Sequence, residues 1–562
     1  MNSIRRLYFC RLAAILSLTL STVLTAAQFR NGIVASGNPL ATTVGVEVLK
    51  AGGNAIDAAV AVAFALNVTE PHNSGIGGGC FLLIRRANGE FVAIDGREMA
   101  PGKATRDLYL RGGKADTRLS QTGALASGVP GALAAYSYAL TNFGTLQIKA
   151  AVKPAADLAE KGFVMTAHLA GRFRAMAKKI GQFQGTRDAI WQGKTKLPVA
   201  GVQFRQNDLA RSLHAIGEEG VDWFYRGPFA RNTAKWMEKN GGIMTREDFA
   251  HYRVGLRQPI RGTYRGHEIV SFPPPSSGGV HVVQILNILE NFDLAARRDD
   301  VAWRQHVIAE AMKLAFADRA HWLGDPDFAK VPRGLIDKTY AKRLAEQIRP
   351  NKLAKVDGHG IPPGSESDFF ERHTTHFCTA DAEGNWVACT ATINTSFGSG
   401  VIIPGTGVFM NNEMDDFSVQ PGVPNAFGLI GSEANSVAAG KRPLSSMSPT
   451  IALKDGKPII ALGAAGGPTI ITQTAQNLIA MLDFGMSPKV AIGQPRLHHQ
   501  WRPDLVRVEK TMDVKVRSAL ERLGHRLSLT GSIGVSQIIA VEKDGAFVGA
   551  ADPRGIGTVG GY

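Results

Sequence analysis

His373-Thr374-Thr375-His376-Phe377-Cys378-Thr379-Ala380-Asp381-Ala382-Glu383-Gly384-Asn385-Trp386-Val387-Ala388-Cys389-Thr390-Ala391-Thr392-Ile393-Asn394 is the stretch on which the fold turns. Phe377–Asp381 and Trp386–Ile393 are rich in β-branched, aromatic and small residues, and Ala382–Asn385 between them carries Glu-Gly-Asn turn chemistry. A β-hairpin follows. A symmetric turn pairs position 381 with 386, sets Cys378 opposite Cys389, and returns Thr392 and Asn394 beside Thr374 and Thr375. Hydroxyls and an amide then gather at one end of the hairpin. Pro350 to His373, just upstream, is rich in Gly, Pro and charge, which suits an exposed, cleavable loop.

Upstream, Ala41–Lys50 and Ala55–Asn67 read as two packed helices. Gly52-Gly53 ends the first, and Asn54 caps the second with Asp57 near its start. Gly75-Ile76-Gly77-Gly78-Gly79 is not a dinucleotide fingerprint, because Cys80 takes the third glycine position and the segment opens a strand. Gly193-Lys194-Thr195 is no P-loop, since Asp188 stands where its first glycine is required. Phe81–Arg86 and Glu90–Asp95 form a hairpin over Asn88-Gly89 that delivers Arg97. The planar fork of Arg97 suits a carboxylate. From Val129 to Trp322 the spacing is largely helical, with Pro130–Asn142, Leu146–Glu160, Asn207–Ile216 and Pro228–Lys239 as helices. Thr245 begins another, Ile260–Tyr264 and His267–Phe272 pair as strands, and Pro273–Gly279 leads into a helix over Val280–Asn291.

Downstream, Asn411-Asn412-Glu413-Met414-Asp415-Asp416 places carboxylates at 413 and 416, which can flank a cationic amino group. Pro421–Lys441 is long and Gly/Pro/Asn-rich, as a lid is. Gly463-Ala464-Ala465-Gly466-Gly467-Pro468 leads into a helix near Thr469–Leu482, and N–H groups at such a start favour negative charge. Pro468 has no N–H to offer. His498-His499 face opposite ways on a strand, which suits packing rather than metal.

The net charge is +15 over 562 residues. Basic residues are scattered, without the aromatic interleaving of a nucleic-acid surface. Met1–Arg11 carries three arginines, Leu12–Leu24 is apolar, and Thr25-Ala26-Ala27 offers small residues for cleavage. Residues 1–27 thus read as a secretory signal, too short to span a membrane. The mature protein is expected to be periplasmic or secreted, with no membrane segment. Cys378 and Cys389 are expected either as a bridge or as two buried thiols.

Thr374-Thr375-His376-Phe377, Thr392-Ile393-Asn394-Thr395-Ser396-Phe397-Gly398, Arg97-Glu98-Met99-Ala100-Pro101 and Arg442-Pro443-Leu444-Ser445-Ser446-Met447-Ser448-Pro449 together resemble the γ-glutamyltransferase family. The resemblance runs from about Asn31 to Tyr562. It implies an α+β N-terminal-nucleophile hydrolase, an αββα four-layer sandwich in which residues 28–373 and 374–562 become two chains of one folded unit, a heterodimer. It implies cleavage between His373 and Thr374, with Thr374 as nucleophile, Thr392 orienting it, and Gly466 and Gly467 as oxyanion donors. Arg97, Ser445 and Ser446 would hold a substrate α-carboxylate, and Asn394, Glu413 and Asp416 its α-amino group. Some members have glutamine at the position of Glu413, and several have tyrosine at that of Phe427. The implied donors are γ-glutamyl amides such as glutathione, the acceptors water, amino acids or peptides, and no metal or organic cofactor is required. A glutaryl-type β-lactam acylase of the same fold and a non-catalytic exported binding protein are the competing readings.

Overall fold

In the computed structural model, residues 27–370 and 377–562 are described. Thirteen strands build two large antiparallel sheets: β1 (Gly32–Ser36), β2 (Gly79–Arg85), β3 (Phe91–Gly96), β4 (Gly255–Arg257), β5 (Ile260–Tyr264), β6 (His267–Ser271), β7 (Cys378–Asp381), β8 (Trp386–Thr392), β9 (Thr450–Lys454), β10 (Lys457–Ala465), β11 (Val535–Val541), β12 (Phe547–Ala551) and β13 (Thr558–Gly561). The first sheet runs β13-β1-β7-β8-β2-β3-β4 and the second β12-β11-β10-β9-β6-β5. Strands from before and after position 373 contribute to both sheets and are interleaved in the first, so the two segments share one core.

The sheets stack face to face. Phe81, Leu83, Ala388 and Trp386 of the first meet Val270, Phe272, Ile451 and Ile539 of the second, and the Phe81 and Phe272 rings stack at 5.5 Å. Helices cover both outer faces. Those used below are α1 (Pro39–Lys50), α2 (Ala55–Thr69), α3 (Ala132–Phe143), α4 (Ile148–Lys161), α5 (Ala167–Ile180), α6 (Gly278–Leu289), α7 (Val301–Trp322) and α8 (Thr469–Leu482). α1–α5 pack on the first sheet with Leu82, Ile84 and Val387; α6–α8 pack on the second with Ile269, Ala452 and Leu462. Burial on both faces is why Gly79–Ile84 is buried throughout and shows no polar alternation. The expected four-layer sandwich is present.

Local signals explain the element ends. Asn54 caps α2 by accepting from Ile56 and Asp57 N–H, and Asp57 returns the bond to Asn54 N–H at 2.9 Å, closing a capping box. Asp57 also accepts from Thr145 N–H, Thr145 Oγ1 and Leu146 N–H, tying α2 to the loop before α4. Thr245 and Asp248 close a second box at the expected helix start, Arg246–His251. His498 and His499 are buried and bonded to Thr472, Gln500 and Asp504, as expected of packing residues. No helix among the described residues is long and apolar enough to cross a membrane.

The hairpin at 377–394 forms, but one residue out of the expected register. Ala380 pairs with Trp386 and Cys378 with Ala388. The turn is tighter because Asp381 N–H and carboxylate bond to Asn385 (3.2 and 2.9 Å), leaving a three-residue loop with Gly384 at φ +96°. A one-residue slip reverses side-chain facing. Cys378 therefore points between the sheets and Cys389 toward the helices, which rules out the bridge and leaves buried thiols. The expected neighbours Thr374 and Thr375, and the His373–Thr374 cleavage position, lie outside the described residues.

Asp57 is fully buried and neutralises four donors. Asp57→Ala is expected to lower unfolding free energy by about 2–3 kcal/mol, the cost of orphaned buried donors plus a lost cap. Guanidinium unfolding measures it; a loss below about 0.5 kcal/mol would contradict this role.

Candidate active site

A cavity of about 340 Å³ opens where β8, the 413–416 turn, the 443–447 segment and the approach to α8 converge. Nine of the expected site residues line it: Thr392, Asn394, Arg97, Glu413, Asp416, Ser445, Ser446, Gly466 and Gly467. Thr374 lies outside the described residues. The chain order of these nine spans most of the protein, and only the two stacked sheets bring them together.

Thr392 ends β8, and its Oγ1 accepts from Asn394 N–H at 2.7 Å. Asn394 sits at φ +72°, a region Asn tolerates better than most residues. Its amide is fixed by a bond from Nδ2 to the Asn412 carbonyl at 2.9 Å. Asn412 in turn accepts from Thr395 N–H and Oγ1, both at 3.0 Å.

Arg97 follows β3 and is fully buried. Its guanidinium donates to Glu413, to Asp416 at 2.7 Å, and to the carbonyls of Pro443 (3.0 Å) and Leu444 (3.3 Å). Glu98 lies 3.6 Å away. Burial opposes the charge of Arg97, but Glu413, Asp416 and Glu98 outweigh it and hold the cation more firmly than usual. Burial raises Glu98 to about 7 and Glu413 well above the ordinary carboxylate range, with Arg97 opposing both shifts. Glu413 Oε2 is buried with no hydrogen bond among the described residues.

This arrangement modifies the expected division of labour. Arg97 does not meet the Ser445 or Ser446 hydroxyls; it bridges the two carboxylates assigned to the amino group. The charges expected to serve the carboxylate and amine ends of a ligand form one network. Ser445 Oγ accepts from Met447 N–H at 3.2 Å, and Ser446 Oγ accepts from Arg319 Nη2 at 3.0 Å.

Gly466 (φ +135°) and Gly467 (φ +60°) break β10 away from its neighbour before α8 begins. Their carbonyls turn into the helix start, accepting from Thr469 Oγ1 and Ile470 N–H. Among the described residues neither glycine N–H has an acceptor, so both are available to developing negative charge. The ring of Phe427 lies so close over Gly467 that a Cβ there would stand 2.6 Å from it. Phe427 and Leu429 thus bring the expected lid segment onto the cavity, where Gln500 Nε2 holds the Gly428 carbonyl at 3.0 Å.

Three neighbours escaped the sequence reading: Arg319, Arg172 and Asn73. Asn73 supports the site through its carbonyl, which accepts from Ile393 N–H at 3.2 Å. Beside it, Glu70, His72 and His168 form the one group among the described residues whose ligand atoms lie within 4.8 Å of one another. Burial keeps His72 neutral, down to about 3, the form that can ligate, but Arg172 adds positive charge that counts against a cation there.

A sequence profile for gamma-glutamyltranspeptidase matches residues 41–562. The glutathione hydrolase proenzyme of Escherichia coli K12 is 47% identical over 529 residues, 94% of this chain and 91% of that protein. The acylase ACY 1 proenzyme of Pseudomonas sp. SE83 is 41% identical, covering 95% of this chain and 94% of that one. Among solved structures, a cephalosporin acylase from Bacillus halodurans superimposes with a TM-score of 0.85 at 31% identity, over 96% of this chain and 97% of the other. Sheet order, cavity and sequence lead to one conclusion: the chain belongs to the gamma-glutamyltranspeptidase family of N-terminal-nucleophile hydrolases.

Proposed function

We propose that this protein is a self-cleaving γ-glutamyltransferase and glutathione hydrolase. The observation that carries this reading is the single cavity in which Thr392 and two acceptor-free glycine N–H groups face a buried Arg97–Glu413–Asp416 network. One end suits acyl transfer and the other an amino-acid head group. The names of its relatives, glutathione hydrolase proenzyme among them, support both the substrate class and processing from a precursor.

In the precursor, the Thr374 hydroxyl attacks the His373 carbonyl, and hydrolysis of the resulting ester frees the threonine amine. Such an amine titrates near ~8 and serves as general base for its own hydroxyl. Thr392 orients that hydroxyl. Attack on a γ-glutamyl amide gives a tetrahedral oxyanion received by Gly466 and Gly467 N–H, then an acyl-enzyme. Water completes hydrolysis; an amino acid or peptide completes transfer. Residues 28–373 and 374–562 stay together as a heterodimer because both contribute strands to each sheet. Residues 1–27 direct export, to the periplasm or beyond.

Acylases occur among the relatives, so the head-group chemistry decides between substrates. A glutaryl donor has no ammonium, and would leave the Glu413 and Asp416 side facing an uncharged methylene. An unmatched buried polar group costs about 1–3 kcal/mol, which gives γ-glutamyl donors an advantage of about tenfold or more in kcat/KM. The non-catalytic reading is not favoured, because the two glycine N–H groups and the carboxylate network are both intact.

The purified protein is expected to give two fragments, starting near Gln28 and at Thr374, by electrophoresis and N-terminal sequencing; Thr374→Ala is expected to stay one chain, and cleavage in that variant would remove Thr374 as nucleophile. Arg97→Lys keeps the charge but loses the fork that spans Glu413 and Asp416, so KM for γ-glutamyl-p-nitroanilide is expected to rise about tenfold with processing intact. An unchanged KM would take Arg97 out of recognition. Asp416→Ala is expected to narrow the preference for γ-glutamyl over glutaryl p-nitroanilide; equal wild-type turnover of both would favour the acylase reading.

A further inference from the structure

Arg319 is a buried cation (4% exposed) on α7. Its bonds all go to neutral groups: Nε donates to Ser277 Oγ at 2.9 Å and Nη2 to Ser446 Oγ at 3.0 Å. Among the described residues no carboxylate forms an ion pair with it. Its sequence neighbour Asp318 is engaged elsewhere, by Tyr340, Gln284 and Gly360 N–H at 2.6–2.8 Å. The titratable groups around it on the other elements, His281 of α6 and His498, are buried and kept neutral, both pushed down to about 3 chiefly by burial. Asp416 is the one carboxylate whose field reaches Arg319, and it is already bonded to Arg97.

A buried guanidinium without a counter-ion is costly to maintain. Its position gives it a use. Ser446 lines the cavity, and because its oxygen already accepts from Arg319, its own proton is left to point into that space. The same guanidinium steadies the backbone there: Ser277 Oγ, which it holds, donates to the Ser445 carbonyl at 2.7 Å, and Ser277 N–H donates to that carbonyl at 2.9 Å. Arg97, which the sequence assigns to the same carboxylate, shares its charge with Glu98, Glu413 and Asp416. A second cation on the Ser446 side therefore adds to what Arg97 can offer a ligand carboxylate.

We propose that Arg319 is a specificity-determining positioning residue, which aims the Ser446 hydroxyl at the donor's α-carboxylate and supplies the positive charge that selects donors carrying one. This rests on the γ-glutamyl reading above. The bound α-carboxylate is the anion that the guanidinium lacks among the described residues, and Ser446 is the link between them.

The test compares two donors on processed enzyme: γ-glutamyl-p-nitroanilide and 4-aminobutyryl-p-nitroanilide, which keeps the amine and the scissile amide but lacks the α-carboxylate. Arg319→Gln is expected to raise KM for the γ-glutamyl donor about tenfold or more, with kcat changed less, while kcat/KM for the 4-aminobutyryl donor stays within about twofold of wild type. Arg319→Lys retains the charge and is expected to recover part of the discrimination. Should Arg319→Gln fail to process, Arg319→Lys is measured alone and is expected to raise KM for the γ-glutamyl donor only, by about threefold, through the lost fork. An equal fall for both donors, or no change for either, overturns the role of Arg319 and leaves the γ-glutamyl reading standing. Wild-type enzyme that fails to prefer the γ-glutamyl donor overturns that reading, and this inference with it.

Discussion

A fully buried arginine ordinarily destabilises a protein unless opposite charge meets it. Arg97 is met by Glu413, Asp416 and Glu98, contributed by two distant parts of the chain, and by two carbonyls of the 443–444 turn. That network depends on the first sheet delivering Arg97 from β3 and on the descent from β8 delivering 413–416. If the first sheet loses its register, the guanidinium is left unneutralised. The site is thus a structural constraint as well as the proposed recognition device. Its three carboxylates, two of them raised by burial, also give the pocket acceptor capacity that one arginine does not exhaust.

The same interleaving reconciles self-cleavage with stability. β1 lies between β13 and β7 in the first sheet, so the two ends of the precursor are paired across positions 373–374. Scission there, as proposed, would remove one covalent link but no ladder between the described strands. The core shared by the two segments, including the Phe173 and Phe397 rings stacked at 4.9 Å, is unaffected by where the backbone is cut. A fold of separate modules would have given the two products little reason to stay together.

Much of this was legible because it is local. Asn54 and Asp57 announced α2, Thr245 and Asp248 a later helix, and the ends of the helices at Pro228–Lys239 and Thr469–Leu482 fall where Pro, Lys and apolar spacing put them. The motif residues were legible as residues, and the cavity gathers them. What escaped depends on tertiary neighbours. The hairpin register turned on Asp381 closing a three-residue loop, which spacing alone does not distinguish from four. The partners of Arg97 were inferred as separate carboxylate and amine subsites, whereas the fold joins them. Arg319 stands in an α7 segment that reads as a helix buried over much of its length. Its meaning appears only when Ser277 and Ser446 are brought beside it.

In the proposed function, one buried charge network reads both ends of an amino-acid head group. A crystal structure of the processed protein with bound glutamate is the decisive measurement. The α-ammonium is expected within hydrogen-bond distance of Glu413 and Asp416, with the α-carboxylate against Arg97 and the Ser446 hydroxyl and the γ-carboxylate beside Gly466 and Gly467. Glutamate bound with its α-carbon at the glycines, or outside the cavity, would contradict it.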